Sequence, residues 1–454
     1  MLSSLKPRFN ASGGLSALLV RDGRSASAVS ASLLCAITLP LLCLHPQYVP
    51  VVATFGAVTV RISDLAILVT LGVAALVAVR EGSVVRARPW LWLLPFVLLM
   101  LVSALLTEDS SGPFVAAAKF TEWLLYGVAV TLTMRTPHDV RLLICSLTAT
   151  ALIFGAIGAA EVVIHRARAA SLVGVNSLGL FGALALSVAL VAPLLAVGRR
   201  LRWALGFGAG LCLITSASFG ATVAAAATIA AAAIMGVGFR ASLRRRVLAV
   251  GVVTTIALAT LTALRFDDIA GVFGAGSPRP GLPGTQGETG GSLAQRAMYA
   301  DFGVRTWLER PVFGVGFQRS SVLPVWLPEL PDVHADFASL PDSYFPPAPG
   351  TPFEQLLEGQ FSFSVHTVYL QLLAELGVVG FILFFVGVAG LARQSWRRGP
   401  EHRALALPLV SVLAGFVDHQ FSGGVPDTTL FTFALAFALF PSRLRTPEGR
   451  VHGE

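Results

Sequence analysis

The chain has 454 residues, of which 55% are hydrophobic and 13% charged, against roughly 25% charged in soluble domains, and its mean hydropathy is +0.74. This composition excludes an ordinary soluble globular protein. The formal net charge of +8 does not indicate nucleic acid, because the basic residues cluster in every second loop, the distribution that marks cytoplasmic loops of a membrane protein.

In chain order, residues 1–27 form a polar, basic segment predicted to be cytoplasmic. The apolar run that follows lacks a small-residue cleavage site and reads as a first transmembrane helix rather than a signal peptide. Runs of about 20 apolar residues then recur, near 28–48, 63–80, 89–107, 112–134, 140–164, 174–198, 201–217, 219–238 and 247–265. These are predicted helices one to nine. Residues 266–365 break the pattern, being rich in Gly and Pro, with "SLAQRAMYADFGVRTWLER" at helical spacing inside them. Three further spans are predicted near 366–391, 403–420 and 426–441, and residues 442–454 form a tail.

Basic clusters at Lys6–Arg24, Arg80–Arg88, Arg135–Arg141, Arg199–Arg202, Arg240–Arg246, Arg393–Arg403 and Arg443–Arg450 place both termini in the cytoplasm and the 266–365 loop outside. The expected fold is therefore all-α: a polytopic membrane protein with about twelve transmembrane helices and one large outer loop between spans nine and ten. Cys35, Cys43, Cys145 and Cys212 lie in apolar segments without metal-ligand spacing and read as packing residues. A two-half transporter would show similar halves and carry its long connection inside, and the chain does neither.

Ionisable groups within the spans are few: Asp64, Lys119, Glu122, Glu161, Glu375 and Asp418. Each costs about 2.5–3.5 kcal/mol at a helix centre, so each is expected to face the bundle interior, water or a partner. Lys119 and Glu122 share a helix face, as a buried pair or as a binding pair. Glu161, with His165, Arg166 and Arg168, forms either an outer rim or part of an anion site. The outer loop carries Arg279, Arg296, Arg305, Arg310 and Arg319, against the topology bias, and guanidinium groups suit phosphate oxygens. His366 opens the span after that loop, where it is either a satisfied polar group or a base placed to take a proton from an attacking hydroxyl.

Four stretches in order resemble the O-antigen ligase and polymerase family of membrane glycosyltransferases: "VRISDLAILV" (60–69), "GVNSLGLFGAL" (174–184), "QRAMYADFGVRTWLERPVFGVGF" (295–317) and "HTVYLQLLAELGVVG" (366–380). The last two, an Arg and helix followed by Pro-x-x-Gly-x-Gly and a His with a downstream Glu-x-Gly, carry most of the likeness. The resemblance implies transfer of a glycan from a polyprenyl-diphosphate carrier to a hydroxyl on a lipid or glycan acceptor, at the outer face of a bacterial inner membrane. It implies Arg296 at the leaving diphosphate, His366 on the acceptor hydroxyl, inversion at the anomeric carbon, and no cofactor or metal. Arg305, Arg319, Asn176 and Tyr369 are candidate substrate contacts.

Two positions depart from the family pattern. Phe219 stands where Ser-Arg-Gly is common, which makes Arg166 and Arg168 candidates to supply the missing charge, and Thr367 replaces an Asn. Ligase and polymerase share these residues, so the sequence leaves both open, with a flippase for an anionic amphiphile as a third reading.

Overall fold

A computed structural model describes residues 26–55, 58–107, 111–165, 168–195, 197–235, 241–264, 293–321, 325, 328–337, 365, 367–419 and 426–440. The chain is predominantly helical: α1 (Ala26–Cys43), α2 (Ile62–Arg80), α3 (Leu94–Leu105), α4 (Ser111–Thr133), α5 (Pro137–His165), α6 (Val175–Val191), α7 (Arg199–Ser216), α8 (Phe219–Ile234) and α9 (Ala241–Leu264) precede the long insert. Within and after it come α10 (Leu293–Glu309), α11 (Leu330–Asp336), α12 (Val368–Arg397), α13 (Pro400–Ala404), α14 (Leu407–Gly415) and α15 (Pro426–Ala438). Every predicted span contains a helix. Among the described residues, six helical segments are long and apolar enough to cross a membrane, while α14, with nine residues, is too short to cross alone.

The apolar pattern explains the layering. Helix α6 is apolar on all sides and almost wholly buried, as such a helix must be. It lies at the centre, packed by α7, α8, α14 and α15. Close approach of α7 to α5 depends on Gly208, where a Cβ would lie 2.8 Å from the Ala151 carbonyl carbon and the Leu152 nitrogen. The helices at the periphery, such as α2, instead leave Leu68, Val69 and Val79 exposed, as lipid-facing surfaces do. Three cysteines are buried and Cys145 is exposed, all as thiols.

One element was not anticipated. Residues Val51–Phe55 (β1) and Val58–Arg61 (β2) pair antiparallel, with a bulge between Val51 and Ala53, where the sequence reading had placed only a connecting loop. β-Branched residues at these positions favour the extended backbone. The Arg61 guanidinium donates to the Pro46 and Val49 carbonyls and ties the hairpin to the end of α1.

The buried charges also pair differently from the i,i+3 expectation. Lys119 donates to Asp64 of α2 at 2.6 Å rather than to Glu122 on its own helix. Asp64 also accepts the Arg61 backbone amide at 2.7 Å, capping α2. Lys119→Met leaves that carboxylate buried without its cation and is expected to cost about 3–5 kcal/mol, with most of the loss recovered in Lys119→Met/Asp64→Leu. Thermal melting of the detergent-solubilised variants tests this, and an unchanged midpoint for Lys119→Met would disprove it.

Candidate functional site

The helix ends next to the long insert are joined by hydrogen bonds into one polar layer. At its centre is the turn between α7 and α8. Ala217 takes a left-handed conformation (φ +44°), and Ser218 caps α8 by accepting the Ala221 amide. Two arginines reach this turn. Arg168 donates through Nε to the Ser216 carbonyl at 3.0 Å and through Nη2 to Asn176 Oδ1 at 2.9 Å. At the other end of the turn the Gly220 amide donates to Asp418 Oδ2 at 3.2 Å, and Arg296 Nη1 lies 3.0 Å from Asp418 Oδ1.

Asp418 thus holds a guanidinium from the insert against the N-terminus of α8, where the helix dipole adds positive potential. Its side chain is 1% exposed and that of Arg296 is 16% exposed, so the carboxylate is buried while the cation keeps an accessible edge. Phe219, where the resemblance expects an arginine, is the first residue of α8 and is 43% exposed. Glu161 accepts the amides of Ala170 and Ser171 at 2.9 and 2.8 Å. It therefore fixes the segment that carries Arg168.

Sequence reasoning missed a neighbouring pair. His419 Nδ1 lies 2.9 Å from Asp427 Oδ2, and both residues are buried. A carboxylate accepts, so Nδ1 carries the hydrogen. The His419 Nε2 has no hydrogen-bond partner among the described residues. The available signal was an Asp-His dipeptide at the end of a span, followed eight residues later by another Asp.

Helix α12 enters the same layer. Thr367 occupies its N-cap position, the Tyr369 hydroxyl donates to the Leu413 carbonyl, and the Tyr369 ring stacks on Phe385 at 5.9 Å between centroids. Tyr369 thus anchors α12 to α14. His366 and Arg166 lie outside the described residues.

Further along, α12 is broken at Gly377 (φ +63°, ψ −168°). The segment Pro311–Gly316 lies in the gap and replaces the missing helical bonds. Val315 and Gly316 donate to the Ala374 and Glu375 carbonyls, both at 2.9 Å, while Val378 and Val379 donate to Pro311 and Val312 at 2.9 and 3.2 Å. The Glu375 side chain completes the joint, accepting from the Ser320 hydroxyl at 2.5 Å and from Gln371 at 3.2 Å.

The remaining candidates sit apart from the turn. Arg305 pairs with Asp301 at 2.7 Å and with Asp332 and Asp336 of α11. Its guanidinium is held above its ordinary pKa, chiefly by the hydrogen bond to Asp301. Arg319 is half-buried beside Ser320 at the α12 joint. At the same end of the bundle a cavity of about 250 Å³ is lined by Arg61, Asp64, Lys119 and Trp123. It reaches Leu42, whose carbonyl accepts from Thr429 two residues beyond Asp427.

Of the sequence candidates, the structure therefore gathers Arg296, Arg168, Asn176 and Tyr369 around the 216–220 turn and α14, and leaves Arg305 and Arg319 on the insert. No curated protein matches the chain. Residues 204–385 match the family model described as O-Antigen ligase, a stretch that includes the turn, Arg296, the Pro311–Gly316 segment and the break in α12. Asp418, His419, Asp427 and Arg168 lie beyond it. Over residues 204–385 the chain is similar to an O-antigen ligase domain, and among the described residues six helical segments are apolar and long enough to cross a membrane.

Proposed function

We propose that the protein transfers a glycan from a polyprenyl-diphosphate carrier to a hydroxyl of a lipid or cell-envelope acceptor, as a ligase acting at the outer face of a bacterial inner membrane. In this reading the twelve apolar segments cross the membrane, both termini are cytoplasmic, and the 266–365 loop is external. The observation that carries the proposal is Arg296, oriented by buried Asp418 at the N-terminus of α8.

The reaction is a single displacement. The acceptor oxygen attacks the anomeric carbon opposite the diphosphate, the glycosyl C–O bond breaks, and configuration inverts. The electron pair leaves with the polyprenyl diphosphate, whose charge Arg296 stabilises. His366 takes the acceptor proton. Guanidinium groups neutralise the leaving group, so the scheme needs no metal. Asp418 is a positioning residue, holding the Arg296 guanidinium by an ion pair at the N-terminus of α8, and preorganised charge of this kind stabilises the transition state most.

Arg168 supplies the second cation. Its contacts with Ser216 and Asn176 hold it on the turn where the family pattern has its arginine. A hydrogen bond between charged groups contributes about 1.5–3 kcal/mol, so Arg168→Ala is expected to weaken donor use about 10- to 100-fold, mainly in KM. Wild-type kinetics for this variant would remove Arg168 from the donor site.

The deciding assay uses pure protein in nanodiscs with polyprenyl-diphosphate oligosaccharides, with and without lipid acceptors. Product that requires the lipid acceptor supports the ligase. Product formed between two carrier-linked glycans makes the chain a polymerase. Movement of carrier-linked glycan across the bilayer with no glycosyl product would replace the transferase reading by a flippase. His366→Ala is expected to abolish product without reducing donor binding.

A further inference from the structure

The end of the bundle away from Arg296 holds a second cavity, of about 330 Å³. It lies between the 3-10 stretch Val84–Leu93, the last turn of α12, α13 and the end of α15. Arg86, Arg398 and His402 line it, with Thr131 and Gln394, and no carboxylate lines it among the described residues. Two other cations at this end are committed elsewhere. Arg135 pairs with Glu81 and bonds Ser83, and Arg403 donates to the Trp396 carbonyl and stacks over its ring at 4.9 Å.

Arg398 is solvent-accessible, and its guanidinium donates to the Leu439 carbonyl at 3.2 Å. Partial burial, and then the nearby positive charge of Arg86, hold it below its ordinary pKa. Two guanidiniums that repel each other across a cavity gain from an anion between them. The Gln394 Oε1 is buried and has no hydrogen-bond partner among the described residues, so it offers an acceptor to a hydroxyl-bearing ligand.

We propose that this cavity binds a phosphate group between Arg86 and Arg398, and that its occupant is the headgroup of an anionic phospholipid. Two observations favour a lipid over a soluble phosphate. Phe440 and Pro89 give the cavity an apolar wall suited to a glycerol backbone. Trp92 and Trp396, on the same two elements, are 50% and 49% exposed, as tryptophans at the headgroup level of a membrane are. Basic residues at that level attract anionic headgroups.

The test is native mass spectrometry of delipidated full-length protein titrated with cardiolipin, phosphatidylglycerol or phosphatidylcholine, beside melting curves with inorganic phosphate. Wild type is expected to retain the anionic lipids at least tenfold better than phosphatidylcholine. Arg86→Gln/Arg398→Gln should lose most of that preference, and Arg393→Gln, on an exposed face of α12 outside the cavity, should keep it. Because Arg398 also supports Leu439, Arg86→Glu provides a variant at an exposed position that is expected to fold and to repel the anion. Millimolar phosphate that raises the melting temperature of wild type but not of Arg86→Glu, without lipid preference, would retain the phosphate site and overturn the lipid occupant. Equal lipid retention and equal phosphate response in wild type and Arg86→Glu would overturn the site itself.

Discussion

Arg296→Ala is expected to lower kcat for glycan transfer by about 10²–10³-fold, the usual effect of removing one preorganised group that stabilises developing negative charge. The same substitution leaves Asp418 buried without its cation, which is destabilising in its own right. The two effects separate in two further variants. Arg296→Lys keeps a charge on Asp418 but replaces a planar fork by a point donor; it should melt near wild type and transfer at least tenfold more slowly. Arg296→Met/Asp418→Leu removes both charges, should regain stability, and should remain inactive. Turnover of a diphosphate donor at the wild-type rate by either variant would dissociate Arg296 from the leaving group and leave it a purely structural ion pair.

The helices were legible because the membrane leaves so few options: an apolar run must satisfy its backbone internally, and a helix does so. The β1–β2 hairpin was not, because a short Val-rich stretch between two apolar runs reads as connection when hydropathy is the only signal. Arg296 was found through its motif, and Asp418 was noticed as a charge inside a span, but nothing in either local sequence joins them. Their pairing depends on where the insert folds back over α8 and α14, a long-range event without a periodic signature. Lys119 shows the same limit. Helical spacing offered Glu122, whereas packing of α4 on α2 supplied Asp64. The His419–Asp427 pair was visible only as residue types, since an eight-residue separation across the α14–α15 connection implies no contact until the fold provides one.

Gly377→Ala and Gly314→Ala are expected to be the most disruptive single substitutions outside the turn, because both glycines shape a backbone joint. Gly377 adopts φ +63°, ψ −168°, a conformation open essentially to glycine alone, and a Cβ there would lie 2.5 Å from the Phe313 nitrogen. At Gly314, also at positive φ, a Cβ would lie 2.5 Å from the Glu375 oxygen and 2.6 Å from the Ala374 oxygen. Relief of either clash means separating the two segments and breaking the four inter-segment hydrogen bonds of the joint. Each buried group left unpaired costs about 1–3 kcal/mol, which places either variant beyond about 4 kcal/mol. Gly72→Ala in α2, where an added Cβ meets nothing within 4 Å, is the matched control and should be neutral or slightly stabilising. The joint also sets function, because it fixes α10, which carries Arg296, relative to α12, which follows His366. A displacement of about 1 Å between reacting groups is enough to cost about 10²-fold. Any Gly314→Ala protein that survives purification should therefore bind donor but transfer poorly. Wild-type melting and wild-type turnover for both alanine variants would show that the Pro311–Gly316 segment does not hold the break in α12.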